Sequence, residues 1–245
     1  YGLELEERAE YKIGMPDIGT LFHSALELFS LRLKESEYNW HTLPDELRIE
    51  WGSESVRRAA QDTGSGIFAD TKRSEYIITR VERIMQRALS VLTEQLRSGE
   101  FEPEAYEMAF TCADRYLRLS GRIDRLDVYE EDGSLYLRVI DYKSGTTSFD
   151  YAMLYYGLQL QLGVYLNAVT RMRDEERAES EPANGKRPEN KRIVPAGVFY
   201  YRLEDPIVEK GPGAEDERKK ALRMDGVANQ DTRVLGYLDR AFRTA

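Results

Sequence analysis

Apolar residues recur at helical spacing through most of the first hundred residues. Between residues 17 and 34 they fall on one face of a helix: Ile18, Leu21, Phe22, Ala25, Leu26 and Phe29. Asp17 stands where it would cap the start of this helix. The same spacing runs through 43–60 and 71–97, with glycines at 64, 66 and 99 as breakers. We therefore predict three helices, which make residues 1–100 a mainly helical part.

The pattern changes to strict alternation between residues 101 and 143, where Tyr, Val, Ile and Leu alternate with polar residues. This period of two predicts antiparallel strands. A continuous helix is expected from 149 to 170. In the next segment, 171–192, 13 of 22 side chains are charged, which predicts an exposed, mobile loop. Residues 194–203 are expected to form one more strand, and a last helix is expected from about Thr232.

The pair Asp132-Gly133 predicts a tight two-residue turn of type I′ between two strands. With this turn, the numbers of directly opposed residues add up to 265, as they do for Leu126 and Val139. One face of the predicted hairpin is apolar and consists of Leu126, Val128, Leu135, Leu137 and Val139.

The same register places Asp124 opposite Asp141 at the end of that apolar face, with Arg122 opposite Lys143. Directly opposed carboxylates repel each other, and a divalent cation that takes oxygen ligands, such as Mg²⁺, would relieve the repulsion. Asp141 and Lys143 are two residues apart, so they share one face of the strand. A plainer interpretation stays open, in which Asp141 and Lys143 form an ion pair at a frayed hairpin end. Arg122 or Arg125 would then neutralise Asp124.

Composition and charge narrow the classes of protein that fit. The 245 residues carry 35 basic and 44 acidic side chains, a net charge of -9. This balance argues against a protein that coats nucleic acid through bulk positive charge, but it permits an enzyme that grips DNA locally. A single cysteine, Cys112, excludes an internal disulfide or a site of several thiolates.

No apolar run in the sequence is long enough for a membrane helix, and the first residues lack the hydrophobic core of an export signal. A cytoplasmic location is therefore expected. The chain opens on Tyr1 instead of Met, which suggests a processed product or part of a longer polypeptide.

Five segments together resemble the PD-(D/E)xK nuclease superfamily in its RecB-like branch, and within it the nuclease domains of AddB-type subunits of bacterial helicase-nucleases. The segments are DIGTLFHSALE (17–27), GRIDRLD (121–127), VIDYKSG (139–145), YYGLQLQLGVYLNA (155–168) and VPAGVFYY (194–201). They span most of the chain in the family's order, which makes the set more specific than any one motif.

This resemblance implies the fold class: α/β (α+β) with a restriction-endonuclease-like core, a small mixed sheet flanked by helices, and an N-terminal helical segment. It also implies a single nuclease domain over residues 1–245. In that domain 1–100 is the mainly helical part, 101–203 holds the catalytic sheet and helix with the mobile loop 171–192, and 204–245 is a C-terminal helical part.

A metal site is also implied by the resemblance, with His23, Asp124 and Asp141 as ligands and the backbone carbonyl of Tyr142 as a further oxygen. Lys143 would orient the attacking water, help to deprotonate it and stabilise the negative charge that develops on the phosphate. The implied metal is Mg²⁺, with Mn²⁺ as a substitute. From the residues alone, His23 would instead lie on a solvated helix flank.

The residues Gln161 and Tyr165 match a Gln-x-x-x-Tyr motif of the family, which lies beside the catalytic site and contacts DNA or supports the lysine. Gln159 competes with Gln161 for this assignment. Without the resemblance, Gln161 and Tyr165 would be placed on a helix face that packs against the sheet. Glu107 is expected only as a neighbour of the metal ligands.

The implied reaction is hydrolysis of DNA phosphodiesters that leaves a 5′-phosphate and a 3′-hydroxyl. It would be carried out by an exonuclease that acts on the 5′-terminated strand during repair of double-strand breaks by homologous recombination. A single-stranded end would thread past the site, with Tyr155 and Tyr156 as candidates for stacking on its bases. Core packing explains these two tyrosines equally well.

The implied partner is an AddA-type helicase-nuclease subunit, in the bacterial cytoplasm at the nucleoid. The family's 4Fe-4S cluster is held by four cysteines, which would lie outside this chain, and Cys112 matches none of them. Two alternatives stay open. One is another RecB-like nuclease, of CRISPR adaptation or primer processing. The other is a nuclease-like fold kept as a non-catalytic DNA-binding or assembly module, which would need neither the opposed carboxylates nor the lysine.

Overall fold

A five-stranded mixed sheet lies between helices on its two faces. The computed structural model describes residues 15–62, 72–113, 118–143, 148–179, 191–204, 206, 208–209 and 211–244. The helices are α1 (Met15–Glu35), α2 (Asp45–Asp62), α3 (Lys72–Ser98), α4 (Tyr151–Tyr155), α5 (Gln161–Glu179), α6 (Ala214–Ala221) and α7 (Thr232–Leu238), followed by a short 3₁₀ helix (Arg240–Thr244). The strands are β1 (Glu102–Ala113), β2 (Arg118–Glu131), β3 (Ser134–Lys143), β4 (Arg192–Arg202) and β5 (Asp225–Ala228). The predicted architecture, a small mixed sheet flanked by helices, is confirmed.

The first three helices are confirmed to within two residues at each end. The predicted glycine breakers at 64 and 66 lie outside the described residues. Asp17 stands in the first turn of α1, because the helix begins at Met15, so the predicted capping role is wrong. Its negative charge still suits the positive end of the helix dipole.

The apolar stripe of α1 forms the larger core with α2, α3 and one face of the sheet. Phe22 and Phe29 are fully buried in this core, together with Tyr142 of β3 and Tyr201 of β4. Truncating a buried Phe to Ala costs about 3–5 kcal/mol of stability. This packing fixes α1, and with it His23, against the end of β3.

The hairpin of β2 and β3 has the predicted turn and register. Asp132 and Gly133 have positive φ values of 49° and 68°, as a type I′ turn requires. Residues 125–131 pair with 134–140 in the order that the turn predicts. The apolar face predicted from this register is buried against α5, whose Leu162 contributes to the same core.

The predicted extension of that ladder, with Asp124 opposite Asp141 and Arg122 opposite Lys143, is wrong, because the pairing of β2 with β3 ends at Arg125 and Ile140. Beyond that point β2 stays paired with β1, and β3 stays paired with its parallel neighbour β4.

The strands β3 and β4 are parallel, and α5, which lies between them in the chain, packs on the face of the sheet opposite α1–α3. The predicted continuous helix over 149–170 is wrong, because α4 ends at Tyr155 and α5 begins at Gln161. Gly157 lies in this break with a φ of 74°, a value that glycine adopts without steric cost and that an α-helix does not contain.

The helix α5 runs on to Glu179, so the predicted loop over 171–192 is wrong for residues 171–179. Residues 180–190 of that predicted loop lie outside the described residues. The strand expected over 194–203 is present as β4 and starts two residues earlier than predicted.

The last helix, α7, begins at Thr232 as predicted, and Asp231 caps it by accepting a hydrogen bond from the N–H of Arg233. Its Val234 and Tyr237 pack beside β3 in a third, smaller core. In the ranges described above, no helix combines the length and the apolar character needed to cross a membrane. That the whole of 1–245 is one nuclease domain stays a prediction.

Candidate active site

Three acidic side chains lie on three neighbouring strands at one end of the sheet. Glu107 is on β1, Asp124 on β2 and Asp141 on β3. The residue pairs that β1 and β2 form directly before and after these two positions place Glu107 opposite Asp124. The ladder of β2 and β3 stops just before Asp124 and Asp141, and there Oδ2 of Asp124 accepts a 2.6 Å hydrogen bond from the backbone N–H of Tyr142. Asp124 thus stands between two other carboxylates.

Glu107 has an unusual backbone conformation for a strand residue. Its φ is 48°, in the left-handed region that costs a non-glycine residue about 1–3 kcal/mol and that concentrates at functional sites. The resemblance implies Glu107 only as a neighbour of the ligands. The register of β1 on β2, which sets it opposite Asp124, is the signal that finds it.

His23 projects from α1 toward the same end of the sheet. Its Nδ1 lies 2.8 Å from Oε1 of Glu107 and 3.8 Å from Oδ1 of Asp124. Its ring stands edge-on to that of Tyr142, with the ring centroids 5.7 Å apart. One ligand atom from each of His23, Glu107 and Asp124 lies within 4.8 Å of the others, a spacing that one cation can bridge.

The electrostatics of these groups favour a bound cation. Burial, and after it the charge of Asp141, raises the pKa of Asp124 to about 6. Burial also raises the pKa of Asp141, against the opposing effect of Lys143. Burial lowers the pKa of His23, but the hydrogen bond to Glu107 and the charges of the carboxylates outweigh it, so the pKa is raised overall. The carboxylates are thus held in a partly buried place where ionisation is disfavoured, and a cation would offset that cost.

The donor set fits a divalent metal ion, since carboxylate oxygens suit Mg²⁺ and an imidazole nitrogen is also accepted by Mn²⁺. Of the predicted ligands, His23 and Asp124 lie together with Glu107, whereas Asp141 is engaged by Lys143, with Nζ 2.6 Å from Oδ2. The N–H of Tyr142 contacts Asp124, and a ligand role for its carbonyl stays a prediction.

Lys143 lies in a chain of polar contacts that reaches α5. Besides its contact with Asp141, its ammonium donates a 2.8 Å hydrogen bond to Oε1 of Gln161. The amide nitrogen of Gln161 in turn donates to the hydroxyl of Tyr165 at 2.6 Å. The ring of Tyr200 lies 5.2 Å from Nζ. These contacts hold the ammonium beside the carboxylates.

Gln159, the competing candidate, contacts the backbone instead. Its side chain accepts a hydrogen bond from the N–H of Asp150 and donates one to the carbonyl of Ser148. Tyr155 and Tyr156 are exposed to 85% and 74%, so core packing does not explain either of them.

A cleft of about 380 Å³ opens beside His23 and Glu107. Arg122 stands on its rim, with Nη1 3.5 Å from Oε2 of Glu107. The cleft is lined by Gly19, Thr20, His23, Ser24, Glu27, Glu107 and Arg122. His23 therefore lies in the wall of a cleft, and Arg122 adds positive charge to its rim.

Comparison with known proteins agrees with this geometry. A family model described as the PD-(D/E)XK nuclease superfamily matches residues 1–243. The chain is 54% identical over 242 residues to an ATP-dependent helicase/deoxyribonuclease subunit from Lachnoclostridium phytofermentans, covering 99% of this chain and 20% of that protein. The identity is 35% to a protein of the same description from Alkaliphilus metalliredigens, covering 98% and 21%. The chain thus spans about a fifth of the length of these relatives.

Proposed function

This chain belongs to the PD-(D/E)XK nuclease superfamily, and from that premise we propose that it is a metal-dependent deoxyribonuclease acting on single-stranded DNA ends. The observation that supports this most directly is the row of carboxylates on three strands, with Lys143 held against one of them. The descriptions of the relatives, helicase/deoxyribonuclease subunits, support the same activity.

His23, Glu107 and Asp124 are the residues that would hold the cation, with Asp141 beside them. When bound, the cation supplies a Lewis acid that withdraws charge from a phosphate oxygen and makes a water molecule more acidic. Asp124, whose pKa is about 6 without it, is held ionised in that state. Before a cation binds, Glu107 accepts a hydrogen bond from Nδ1 of His23 and so keeps the ring turned toward the carboxylates.

Lys143 supplies positive charge next to Asp141. Its ammonium orients the attacking water and stabilises the negative charge that develops on the phosphate. Asp141 and Gln161 fix the ammonium, and Tyr165 fixes Gln161 in turn. Hydrolysis leaves a 5′-phosphate and a 3′-hydroxyl.

The larger setting is part of the same proposal. We assign the chain to a helicase-nuclease that processes double-strand breaks for homologous recombination, as an exonuclease on the 5′-terminated strand, with an AddA-type partner subunit, in the bacterial cytoplasm at the nucleoid. The metal is Mg²⁺ in this proposal. The single Cys112 cannot supply four thiolates, so a 4Fe-4S cluster is proposed only for the full-length subunit.

The test is cleavage of a single-stranded oligonucleotide by the 245-residue chain in Mg²⁺ or in chelator. Asp141→Ala is expected to slow cleavage at least about a thousandfold, because it removes the carboxylate that holds Lys143. Asp216→Ala, which removes an exposed carboxylate of α6, is the matched control and is expected to cleave normally. Mg²⁺ titration calorimetry on the wild type and on Asp124→Ala should show binding only in the wild type.

Retained cleavage in Asp141→Ala would refute the site. Tight DNA binding that chelator does not change, without cleavage, would favour the non-catalytic module.

The position of the label on the oligonucleotide gives the polarity of cleavage. Early release of a labelled mononucleotide from a 5′-labelled strand supports the proposed direction, and early release from a 3′-labelled strand contradicts it. A nuclease of CRISPR adaptation or primer processing has less support, because the relatives are described as helicase/deoxyribonuclease subunits.

A further inference from the structure

Exposed apolar side chains are concentrated in one short segment of the chain. Among the residues that the structure describes, 11 large apolar side chains are exposed, and six of them fall within residues 151–160. We call this segment the aromatic ledge. Its exposed members are Tyr151, Met153, Tyr155, Tyr156, Leu158 and Leu160. The ledge carries no charged residue, in a chain whose residues are 32% charged.

The backbone of the aromatic ledge is fixed at both ends, although its side chains are exposed. Asp150 caps α4 by accepting hydrogen bonds from two backbone N–H groups. Gln159 ties the far end back to Ser148 and Asp150. Asp225 of β5 accepts a 3.0 Å hydrogen bond from the N–H of Phe149. The exposed rings therefore project from a braced segment.

The aromatic ledge adjoins the candidate active site at both of its ends. Leu160 is followed directly by Gln161, which accepts the hydrogen bond of Lys143. On the other side, the ring of Phe149 packs 6.4 Å from that of Tyr200, which itself lies 5.2 Å from Nζ of Lys143. The residues that flank the ledge on both sides thus lie in the surroundings of Lys143.

We propose that the aromatic ledge binds the bases of unpaired DNA by stacking and so feeds a single strand to the active site. This rests on the proposed function and adds the surface that selects the form of the substrate. Aromatic rings bind bases of any sequence, because every base offers a π-face, whereas in a duplex those faces are already stacked. The rings of Tyr155 and Tyr156 stand edge to face at 82° with centroids 5.4 Å apart, so their mutual contact covers one face of one ring and leaves the other ring faces free of this contact.

Because the aromatic ledge carries no charge, it and the basic residues would contact different parts of the DNA. Phosphate groups are contacted by cations, of which Lys143 and Arg122 stand at the site, while the ledge offers only apolar and aromatic contact. Preference for single strands would then come from the ledge and not from the basic residues.

The experiment measures binding of a fluorescent oligonucleotide by anisotropy, in chelator so that no cleavage occurs. The double variant Tyr155→Ala, Tyr156→Ala is expected to bind a single strand at least about tenfold more weakly than the wild type, and the Phe double variant to bind normally. Tyr76→Ala is the matched control, because Tyr76 is an exposed tyrosine on α3 outside the ledge.

A second arm changes the DNA and uses the same two proteins. An oligonucleotide of the same length with abasic sites should bind the wild type weakly, and the double Ala variant should lose little further affinity for it. A blunt duplex should bind the wild type and the double Ala variant equally. Equal losses on the abasic and normal strands would overturn the proposal, because the contact would then be to the backbone.

Failure of the aromatic ledge and failure of the nuclease are distinguishable. Metal-dependent cleavage with unchanged DNA binding in the double Ala variant would overturn the ledge alone. Base-dependent binding without cleavage in the wild type would leave the ledge and overturn the nuclease. Unchanged DNA binding together with altered self-association of the chain would assign the ledge to a protein interface and overturn the proposal.

Discussion

The strand β2 carries charged residues on both of its faces, and the charges that surround them differ between the two faces. Asp127 is fully buried between Arg125 and Arg138, which contact its oxygens at 2.5–2.8 Å. Burial raises its pKa, but the two guanidinium groups outweigh burial, so the pKa of Asp127 is lowered. Asp124, three residues earlier, faces two carboxylates and has its pKa raised to about 6.

The difference teaches how to tell a structural charge from one reserved for a ligand. The protein neutralises Asp127 fully with its own side chains, Arg125 and Arg138, and the arrangement is closed to solvent. We call these three residues the closed set. Around Asp124 negative charge is in excess, beside an open cleft. We call Asp124 and its neighbours Glu107 and Asp141 the open set. A buried charge must be compensated, so the missing compensation around Asp124 supports the proposed cation.

The largest effect is expected from breaking the closed set. Asp127→Ala leaves two buried guanidinium groups without their partner and should lower the free energy of unfolding by about 3–5 kcal/mol, measured by urea denaturation. Glu130→Ala is the control, because it removes the partner of Lys191 from an exposed pair and should cost below about 1 kcal/mol. Similar losses in the two variants would contradict the distinction.

The opposite sign is expected in the open set. Asp124→Asn keeps an oxygen for the N–H of Tyr142 and removes a repelled charge, so in chelator at pH 8 it should raise the free energy of unfolding by about 1–3 kcal/mol. The raised pKa means that the folded wild type binds the proton more tightly than the unfolded chain. Its stability from this group therefore falls as pH rises from about 4 to about 6.

A pH series of urea denaturation checks that sign. The advantage of Asp124→Asn over the wild type should be near zero at pH 4, grow up to pH 6 and stay constant above it. An advantage that is independent of pH would show that the carboxylate is not the cause.

Added metal should remove the difference by filling the open set. At ten times its dissociation constant, Mg²⁺ should stabilise the wild type by about 1.4 kcal/mol and raise its melting temperature by about 3–5 °C. Asp124→Asn should not respond, while Asp216→Ala should respond like the wild type. A rise of equal size with NaCl at the same ionic strength would point to screening instead of binding.

The smallest effect concerns the lysine beside the open set. Gln161→Ala removes one hydrogen bond from Lys143 and should slow cleavage about fivefold, which corresponds to about 1 kcal/mol, with little change in melting temperature. Tyr165→Phe, which removes the hydroxyl that fixes Gln161, should have a still smaller effect in the same direction. A loss of stability without a loss of rate in Gln161→Ala would make the contact merely structural.

Local patterns account for much of what the sequence predicts. The period of the apolar residues is enough for α1–α3, and the Asp132-Gly133 turn is enough for the hairpin register, because each depends on residues close in sequence. That register also brings Asp124 and Asp141 to the same end of the sheet, which is the basis for predicting a metal site.

Features that depend on tertiary context are not visible in the sequence pattern. The position of Glu107 follows from the pairing of β1 with β2, which includes an irregularity between Pro103 and Ala105 that alternation does not reveal. The break at Gly157 is hidden because apolar residues continue on both sides of it. The pairing of Asp127 with Arg138 across two strands likewise does not follow from local spacing.

Order of folding follows from the single parallel pairing in the sheet. The strands β2 and β3 are joined by a two-residue turn, whereas residues 144–191 separate β3 from β4. Closing that long excursion costs chain entropy before its contacts form, so we expect β2 and β3 to pair early and β4 to join late. Asp124 and Asp141 would then meet before α5 docks, and a nascent chain would gather its acidic residues before it could place Gln161 against Lys143.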